Sequence, residues 1–403
     1  MKRIGLGLAI LFAAGCAPAA RPPQEVVFWQ FAEPAALEPV VRRFESENPG
    51  LRVRLVRVAP AALAESLDAA LALGAPPDLC ELDGDSMRAY LDSGELSDWS
   101  AGVADQRDSL LGWEACRVGV ALYGMPWRLS PRVLYWNRDL FARAGLPPAR
   151  PPATWDALVA AARRIERLGG GVHGYGLPST DTLAMVPEFL SLAWTNGGEL
   201  LSAAGDSVRL DSPANEQALE LGVRLGRVGL QADSDFLDRE FAAGRLGLRI
   251  AGSRLATWLD HEAPELKYGL APLPARAAAD SVVPFADVSV LASFTRSRHK
   301  EHALRLARYL ARPENSLEIY AAAAGGVPAN SGADTLAWFR SHPRDEVLAS
   351  QAARSRFAPA VPGWRRMEHA LGDELIRALR GEQSPDSALA HASARLAAIV
   401  GRR

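Results

Sequence analysis

Five tryptophans stand where the sequence predicts the end of a strand or helix, or the loop beyond it: Trp29, Trp127, Trp194, Trp258 and Trp364. Indole rings pack well against the apolar C–H faces of sugars, although a single tryptophan more often belongs to a hydrophobic core. Trp127, Trp258 and Trp364 each stand beside an arginine or turn residues, which favours a ligand platform at those three positions.

Polar side chains that could bind hydroxyl groups follow the same elements. A sugar that leaves water needs carboxylates, amides or guanidinium groups around its hydroxyls. Gln30 ends the first predicted strand, at the edge that faces the ligand crevice in open α/β folds, and Arg128 follows Trp127. Ser253 and Arg254 begin a predicted helix whose free amides would face the cleft. The remaining candidates are Asp83, Asn196, Asp287 and Arg365.

Patterns for catalysis and metal binding are missing from the sequence. The seven histidines have no metal-ligand spacing next to an acid, and neither a Gly-x-Ser-x-Gly elbow nor a phosphate loop occurs. Asp83 and Asp85 could serve as the two carboxylates of a glycosidase, but Asp85 could equally cap the helix that follows. We therefore predict a binding protein with no catalytic residue, no metal and no cofactor.

The composition of the chain bounds its class. Its 403 residues are 48% hydrophobic and 23% charged, as in a globular protein long enough for two domains. A formal net charge of −2 supplies no field for a polyanion, so we expect no nucleic-acid partner. We expect a monomer.

The N-terminus resembles an export signal followed by a lipid-attachment site. Lys2 and Arg3 precede an apolar run over residues 4–14 that is too short to span a bilayer. Small residues then stand before Cys16, as in the bacterial lipoprotein cleavage box, although Ala13 replaces the usual leucine. We predict a signal peptide over 1–15, lipidation of Cys16, a tether over 16–24, and a membrane anchor in the periplasm or at the cell surface. An ordinary secretory signal is the alternative.

The other two cysteines, Cys80 and Cys116, leave two states open. An oxidising compartment outside the cytoplasm would permit a disulfide between them. Their apolar surroundings equally suit two buried free thiols that behave as small hydrophobic side chains.

Alternating strands and helices predict an α/β architecture. Strands are expected over 25–30, 51–58 and 78–82, with helices over Pro34–Glu47 and 63–73 between them. This alternation favours a largely parallel sheet. Later in the chain, a short helix is predicted over 187–194 and a hairpin over 200–210.

The segment 123–146 (YGMPWRLSPRVLYWNRDLFARAGL) organises the rest of the chain. An aromatic and β-branched strand through Trp136 leads into a helix that Asn137 can cap. Gly145 and the prolines after it end that helix.

The same segment resembles family 1 of the extracellular solute-binding proteins, the sugar-capturing receptors of bacterial ABC importers. Further sequence motifs of the family recur over 44–53, 94–98, 154–158 and 268–274, so the resemblance covers the mature chain. It implies a periplasmic-binding-protein-like, maltose-binding-protein-like fold of two discontinuous α/β lobes with a hinge and a ligand cleft. The implied lobe 1 is 25–134 plus 288–335, and lobe 2 is 135–287 plus 336–403.

The resemblance implies that a carbohydrate, a mono- or oligosaccharide, closes the two lobes and is delivered to the transmembrane permease subunits of an ABC importer. In that family the acid that matches Asp83 reaches sugar hydroxyls, and Trp364 and Arg365 lie in a late stacking loop. Ser130 replaces the acid or amide of many relatives. Polar non-sugar ligands remain the alternative: a polyamine, or a glycerophosphodiester held by arginines 128, 254 and 365. A secreted glycan-cleaving enzyme is the third hypothesis.

Overall fold

The computed structural model describes residues 23–277, 281–322, 325–330, 332, 337–359, 361 and 363–401. The predicted signal peptide, Cys16 and most of the tether lie outside these residues. Within them, no helix is both long and apolar enough to cross a membrane.

The described residues form strands and helices that alternate along most of the chain. The strands are β1 (Gln24–Gln30), β2 (Leu51–Arg57), β3 (Leu79–Leu82), β4 (Arg117–Val118), β5 (Ala121–Leu122), β6 (Met125–Pro131), β7 (Val133–Asn137), β8 (His173–Leu177), β9 (Leu230–Gln231), β10 (Leu246–Ala251), β11 (Tyr268–Ala271), β12 (Ala286–Ala292) and β13 (Val327–Pro328).

The helices supply the layers on both faces of the sheets. They are α1 (Pro34–Glu47), α2 (Leu63–Ala72), α3 (Gly84–Asp92), α4 (Arg138–Arg143), α5 (Trp155–Glu166), α6 (Thr182–Thr195), α7 (Pro213–Gly226), α8 (Ser234–Ala242), α9 (Ser253–Glu262), α10 (Lys300–Leu310), α11 (Pro313–Ala321), α12 (Ala337–Ser341), α13 (Pro343–Ala352), α14 (Trp364–Leu379) and α15 (Pro385–Val400).

Two sheets carry the architecture, one of six strands in the order β13-β6-β12-β3-β1-β2 and one of five in the order β11-β7-β10-β8-β9. In the first sheet β1 is parallel to β2 and β3, whereas β12 is antiparallel to both β3 and β6. The prediction of a largely parallel sheet therefore holds only for its N-terminal half. The sheet is mixed because β12 belongs to the return passage of the chain and enters from the opposite end.

Three passages of the chain lie side by side between the two sheets. β6 ends at Pro131 and β7 begins at Val133, so only Arg132 separates strands of different sheets. The Arg132 amide donates to the carbonyl of Phe285 at 2.9 Å, just before β12. On the other side of this return passage, the Arg356 amide donates to Pro284 O at 2.9 Å. The predicted lobe boundaries at 134/135 and 287/288 lie within two residues of these changes of sheet, and the division into lobes stays a prediction.

A hydrophobic cluster packs behind these passages and joins the two sheets. It includes Leu129 of β6, Tyr135 of β7, Val290 of β12 and Leu348 of α13, all buried. Because strands of both sheets contribute, the apolar contact there holds the bases of the two sheets together.

The helix cap that the sequence predicts at Asn137 is confirmed, and Thr154 caps α5 in the same way. The Asn137 side chain accepts from the amides of Asp139 at 3.1 Å and Leu140 at 3.0 Å, and Thr154 accepts from Ala157 at 3.3 Å. These caps satisfy amides that have no partner inside their own helix.

Two predicted elements differ in the structure. The helix predicted over 187–194 is α6, which begins five residues earlier because Asp181 caps it by accepting from the Ala184 amide at 3.2 Å. Pro187 lies inside the helix, where proline removes a backbone donor but does not end it. The hairpin over 200–210 is present but short: Leu201 pairs with Val208, and the amides of Ser202 and Arg209 donate to Ser207 O and Leu200 O, both at 2.8 Å.

Cys80 and Cys116 are both buried free thiols, so the second of the two predicted states is confirmed and the disulfide is not formed. Burial raises the pKa of each thiol well above its ordinary value, with the charges of Glu81 and Glu114 adding to the effect. A buried thiol with a raised pKa carries almost no reactive thiolate.

We expect neither thiol to react with a charged aromatic disulfide reagent in the native protein at pH 8. Both should react within minutes in concentrated urea, because unfolding exposes them and restores an ordinary pKa. The measurement is absorbance of the released thiolate, on a chain that begins after Cys16 so that only two thiols are present. Rapid labelling of one native thiol would contradict the burial described here.

Candidate functional site

A cavity of about 650 Å³ lies between the two sheets, against the three passages that connect them. One wall comes from the six-stranded side, including Asp83 and Arg88, and the opposite wall from Asp238 and Arg249 beside the five-stranded sheet. The floor includes Arg132. This volume is in the range of pockets that bury small polar ligands.

The cavity wall is dense in charged groups and carries three large aromatic rings. Among the described residues that line it, the carboxylates are Asp83, Asp181, Asp233, Asp235, Asp238, Asp287 and Glu368, and the guanidinium groups are Arg88, Arg132, Arg249 and Arg254. The aromatic residues are Phe285, Phe357 and Trp364. The wall thus combines hydrogen-bond acceptors, planar donors and apolar faces, with an excess of acceptors.

Three of these carboxylates cap helices whose N-termini face the cavity. Asp83 accepts from the Ser86 amide at 2.7 Å and Asp233 from the Phe236 amide at 2.8 Å, and Asp181 caps α6 as described above. The cap of α3 is therefore Asp83 and not Asp85, because the helix already begins at Gly84. Capping fixes the position of each carboxylate, since the side chain bonds to its own backbone.

A fourth helix, α9, is capped from across the cleft. Gly252 has no side chain to offer, and the Ser253 amide donates instead to Ser130 Oγ at 3.0 Å. The Ser253 hydroxyl also donates to the same oxygen at 3.1 Å. Ser130 belongs to β6 in the other sheet, so its hydroxyl ties a helix of one side to a strand of the other.

An ion pair joins two of the connecting passages at the cavity floor. Arg132 Nη1 lies 2.6 Å from Asp287 Oδ2. Arg132 is nearly buried while Asp287 is half exposed, so the carboxylate stays accessible from the cavity. The pair therefore links two of the segments that connect the sheets.

Four of the thirteen residues predicted to bind ligand line the cavity: Asp83, Arg254, Asp287 and Trp364. Ser253 is buried directly beside it, bonded to Ser130. Trp127 and Arg128, which were also predicted to bind ligand, are not among the residues that line the cavity. Trp127 is 1% exposed and packs against Phe28 in the core of the six-stranded sheet.

Arg128 is held beneath the cleft by buried partners. Its guanidinium stacks on Trp127 at 4.3 Å from the ring centroid and is ion-paired with Glu81, which is fully buried. Trp194 stacks on Phe285 with ring centroids 5.7 Å apart, behind the cavity wall. Asn196 ends α6 and donates to the carbonyl of Ala214 at 3.0 Å.

The other predicted residues are not among those that line the cavity. They are Trp29, Gln30, Trp258 and Arg365. Gln30 is fully buried, the two tryptophans are partly buried, and Arg365 is exposed. Their roles, like those of the four that do line the cavity, stay predictions.

Sequence reasoning missed most of the charged residues of the site, namely Glu188 behind the cavity wall and, on the wall, Arg88, Arg132, Asp181, Asp233, Asp235, Asp238, Arg249 and Glu368. Arg249 and Asp238 line the cavity, and Glu188 lies in α6 behind it. For Arg249 and Glu188 the sequence did carry a signal, because each is an ionisable residue inside an apolar run: the buried strand LGLRIA and the helix TLAMVPEFLSLAWT. Ionisable groups are rarely fully buried without a specific role.

Glu188 is a buried acid beside the site. Its pKa is raised to about 7, mainly by burial, while the hydrogen bond from Tyr175 and the charges of Arg249 and Arg132 pull it in the opposite direction. Tyr175 Oη donates to Glu188 Oε1 at 2.7 Å. Among the described residues, no cluster of His, Cys, Asp and Glu could hold a metal ion.

The chain matches the model of one protein family over residues 40–345, and that family is described as bacterial extracellular solute-binding protein. The chain belongs to this family. A Brucella abortus protein named only as a binding protein is 27% identical over 405 residues, which span 98% of this chain and 97% of its own length.

Solved structures of other solute-binding proteins share the fold. The cyclic α-maltosyl-1,6-maltose binding protein of Arthrobacter globiformis superposes with a TM-score of 0.82 at 22% identity, covering 94% of this chain and 100% of its own. UgpB of Mycobacterium tuberculosis, in complex with glycerophosphocholine, has a TM-score of 0.80 at 20% identity, covering 94% and 99%. The expected two-lobe solute-binding fold is thereby confirmed, and the family implies a location in the periplasm or at the cell surface.

The raised pKa of Glu188 makes stability fall as pH rises from about 4.5 to about 7. The folded state holds a proton on this acid up to about pH 7, whereas the unfolded chain releases it near 4.5. Stability is therefore lost between these values, by about 3 kcal/mol at most for a shift of this size. Glu188→Gln keeps the acceptor for Tyr175 without the charge. We expect the variant to gain stability over the wild type above pH 7 and to flatten this part of the curve, measured by urea unfolding from pH 5 to 8. Parallel curves for the two proteins would contradict it.

Proposed function

We propose that this solute-binding protein captures a neutral mono- or oligosaccharide and delivers it to the permease subunits of an ABC importer. The observation that carries the proposal is the cavity between the two sheets, where fixed carboxylates, guanidinium groups and aromatic faces meet. Hydroxyl groups both donate and accept, so a wall that mixes the two kinds of partner satisfies them after desolvation. Trp364, Phe285 and Phe357 offer the apolar faces that sugar rings require.

A glycerophosphodiester fits this wall less well. The three arginines expected to converge on a phosphate do not converge, because Arg128 is paired with buried Glu81 and only Arg254 of the three lines the cavity. The seven carboxylates of the wall also outnumber its four guanidinium groups, and this excess of negative charge disfavours a ligand that carries an anionic phosphate. That excess favours a polyamine as the second candidate, although the guanidinium groups repel a cation.

The proposed mechanism is a shift of population between open and closed arrangements of the two sheets. A ligand that touches both walls binds the closed arrangement better and therefore increases its share. The three adjacent passages would act as the hinge, with the permease recognising the closed form. The ligand leaves chemically unchanged, since the proposal assigns no catalytic residue.

Thermal unfolding with a panel of ligands tests the assignment. We expect at least one of maltose, maltotriose, sucrose and α-D-tagatose to raise the melting temperature by a few degrees, because a ligand at 100 times its Kd adds about 2.7 kcal/mol. Glycerophosphocholine, a zwitterion with an anionic phosphodiester and a cationic choline, and the polycation spermidine serve as the non-sugar comparisons, with titration calorimetry confirming each hit. Binding of glycerophosphocholine or spermidine alone would overturn the carbohydrate assignment, and new reducing ends in the recovered sugar would overturn the receptor role.

We also propose that Cys16 carries the lipid anchor and that the protein acts as an anchored monomer. Support comes from the position of the cysteine after small residues and a short apolar run. Replacing Cys16→Ser should move the exported protein from the membrane fraction to the aqueous phase on detergent partitioning, because the acyl chains are lost. Cys80→Ser, in a buried thiol, is the matched control and should remain with the membrane. Equal partitioning of the Cys16 variant and the wild type would refute the anchor.

A further inference from the structure

Arg249 lies at the middle of the five-stranded sheet with its charge almost completely removed from water. It is paired in β10 with Tyr135 of β7 on one side and Gly176 of β8 on the other. Only 4% of the residue is exposed, yet it lines the cavity. Within the part of the chain that the structure describes, neither Nε nor Nη1 has a hydrogen-bond partner.

Asp238 of α8 is the nearest counter-charge. Its Oδ1 lies 3.1 Å from Arg249 Nη2, but this oxygen makes no hydrogen bond of good geometry with any described residue. Burial raises the pKa of Asp238, while Arg249 and Arg254 oppose that effect. The two groups therefore form a desolvated pair whose donors and acceptors are incompletely used.

Such a pair destabilises the folded protein unless further hydrogen bonds satisfy its free donors and acceptors. Burying a charged group without its full set of hydrogen bonds costs free energy, and the Coulomb attraction between the two opposite charges offsets only part of that cost. Tyr135 does not supply the missing partner, since its hydroxyl donates to Gly252 O at 2.7 Å and accepts from the Ala256 amide at 3.2 Å. The Glu188 carboxylate accepts from Tyr175 instead.

We propose that the Arg249–Asp238 pair recognises two neighbouring hydroxyl groups of the bound saccharide. The guanidinium donates to the hydroxyl oxygens, and one hydroxyl hydrogen is donated to the carboxylate, after a rotation of the arginine side chain towards the cavity. One hydroxyl thereby both accepts and donates while its neighbour accepts, an arrangement that neither charged group could satisfy alone. The proposal rests on the proposed function and names the feature of the sugar that the cleft selects.

The carboxylate distinguishes this arrangement from an anion site. A phosphate or carboxylate ligand would satisfy the Arg249 donors but would place its own negative oxygens against Asp238. A diol has no charge and carries the hydrogen that Asp238 needs. The pair is thus predicted to select neutral ligands over acidic ones, in agreement with the excess of carboxylates around the cavity.

Calorimetry on the full mature chain tests the pair, using whichever of maltose, maltotriose, sucrose and α-D-tagatose the wild type binds. We expect Arg249→Met and Asp238→Asn each to weaken binding at least tenfold, and the double variant to lose less than the product of the two effects. Arg249→Lys keeps the charge but not the planar donors and should also weaken binding. Arg245→Gln is the matched control in the same segment, because Arg245 is paired with Glu240 and does not line the cavity. It should bind like the wild type.

Deoxy analogues of that saccharide identify the diol. Removing either of two neighbouring hydroxyl groups should weaken wild-type binding strongly while leaving the affinity of the double variant unchanged, a loss that a merely structural role would not localise to those two positions. Apo unfolding midpoints identify any variant that fails to fold, in which case the remaining single variant carries the test. Wild-type affinity in both folded single variants would overturn the pair as the recognition element and leave the proposed function intact. No binding by the wild type to any of the four sugars would overturn the proposed function itself.

Discussion

The structure depends on three short backbone passages held side by side between two sheets. The hydrogen bonds from Arg132 to Phe285 and from Arg356 to Pro284 make a narrow ribbon there. One hydrophobic cluster behind the ribbon takes side chains from both sheets, while two further clusters each lie mainly on one side. The same ribbon forms one side of the cavity, which places any ligand next to the segments that connect the two sheets.

The charged groups of the cavity are positioned by two different devices. Asp83, Asp181 and Asp233 are fixed by helix N-termini, where each carboxylate bonds to the backbone of its own helix. Arg249 and Asp238 have no such support and are held mainly by each other and by burial. The three capping carboxylates are therefore preorganised before any ligand binds. The Arg249–Asp238 pair, as we propose, gains its missing hydrogen bonds from the ligand.

The fold was largely predictable from the sequence, and the site only in part. The end of the first strand at Gln30 and the helix start at Asn137 follow from local cap and turn chemistry, which a sequence displays directly. Trp127 and Arg128 were misleading in position because turn residues nearby suggested a loop, whereas β6 continues through them with both side chains buried. Arg249 was missed because its importance comes from Asp238, eleven residues away in another element, and only the folded chain brings the two together.

Ser130 has a consequence beyond the cap it provides for α9. Its single oxygen receives hydrogen bonds from the backbone and the side chain of Ser253, which lies on the far side of the ribbon. Because Ser130 also lines the cavity, one side chain belongs both to the contact between the two sides and to the wall that a ligand would meet. Any substitution at this position therefore changes the contact between the two sides and the chemistry of the cavity wall together.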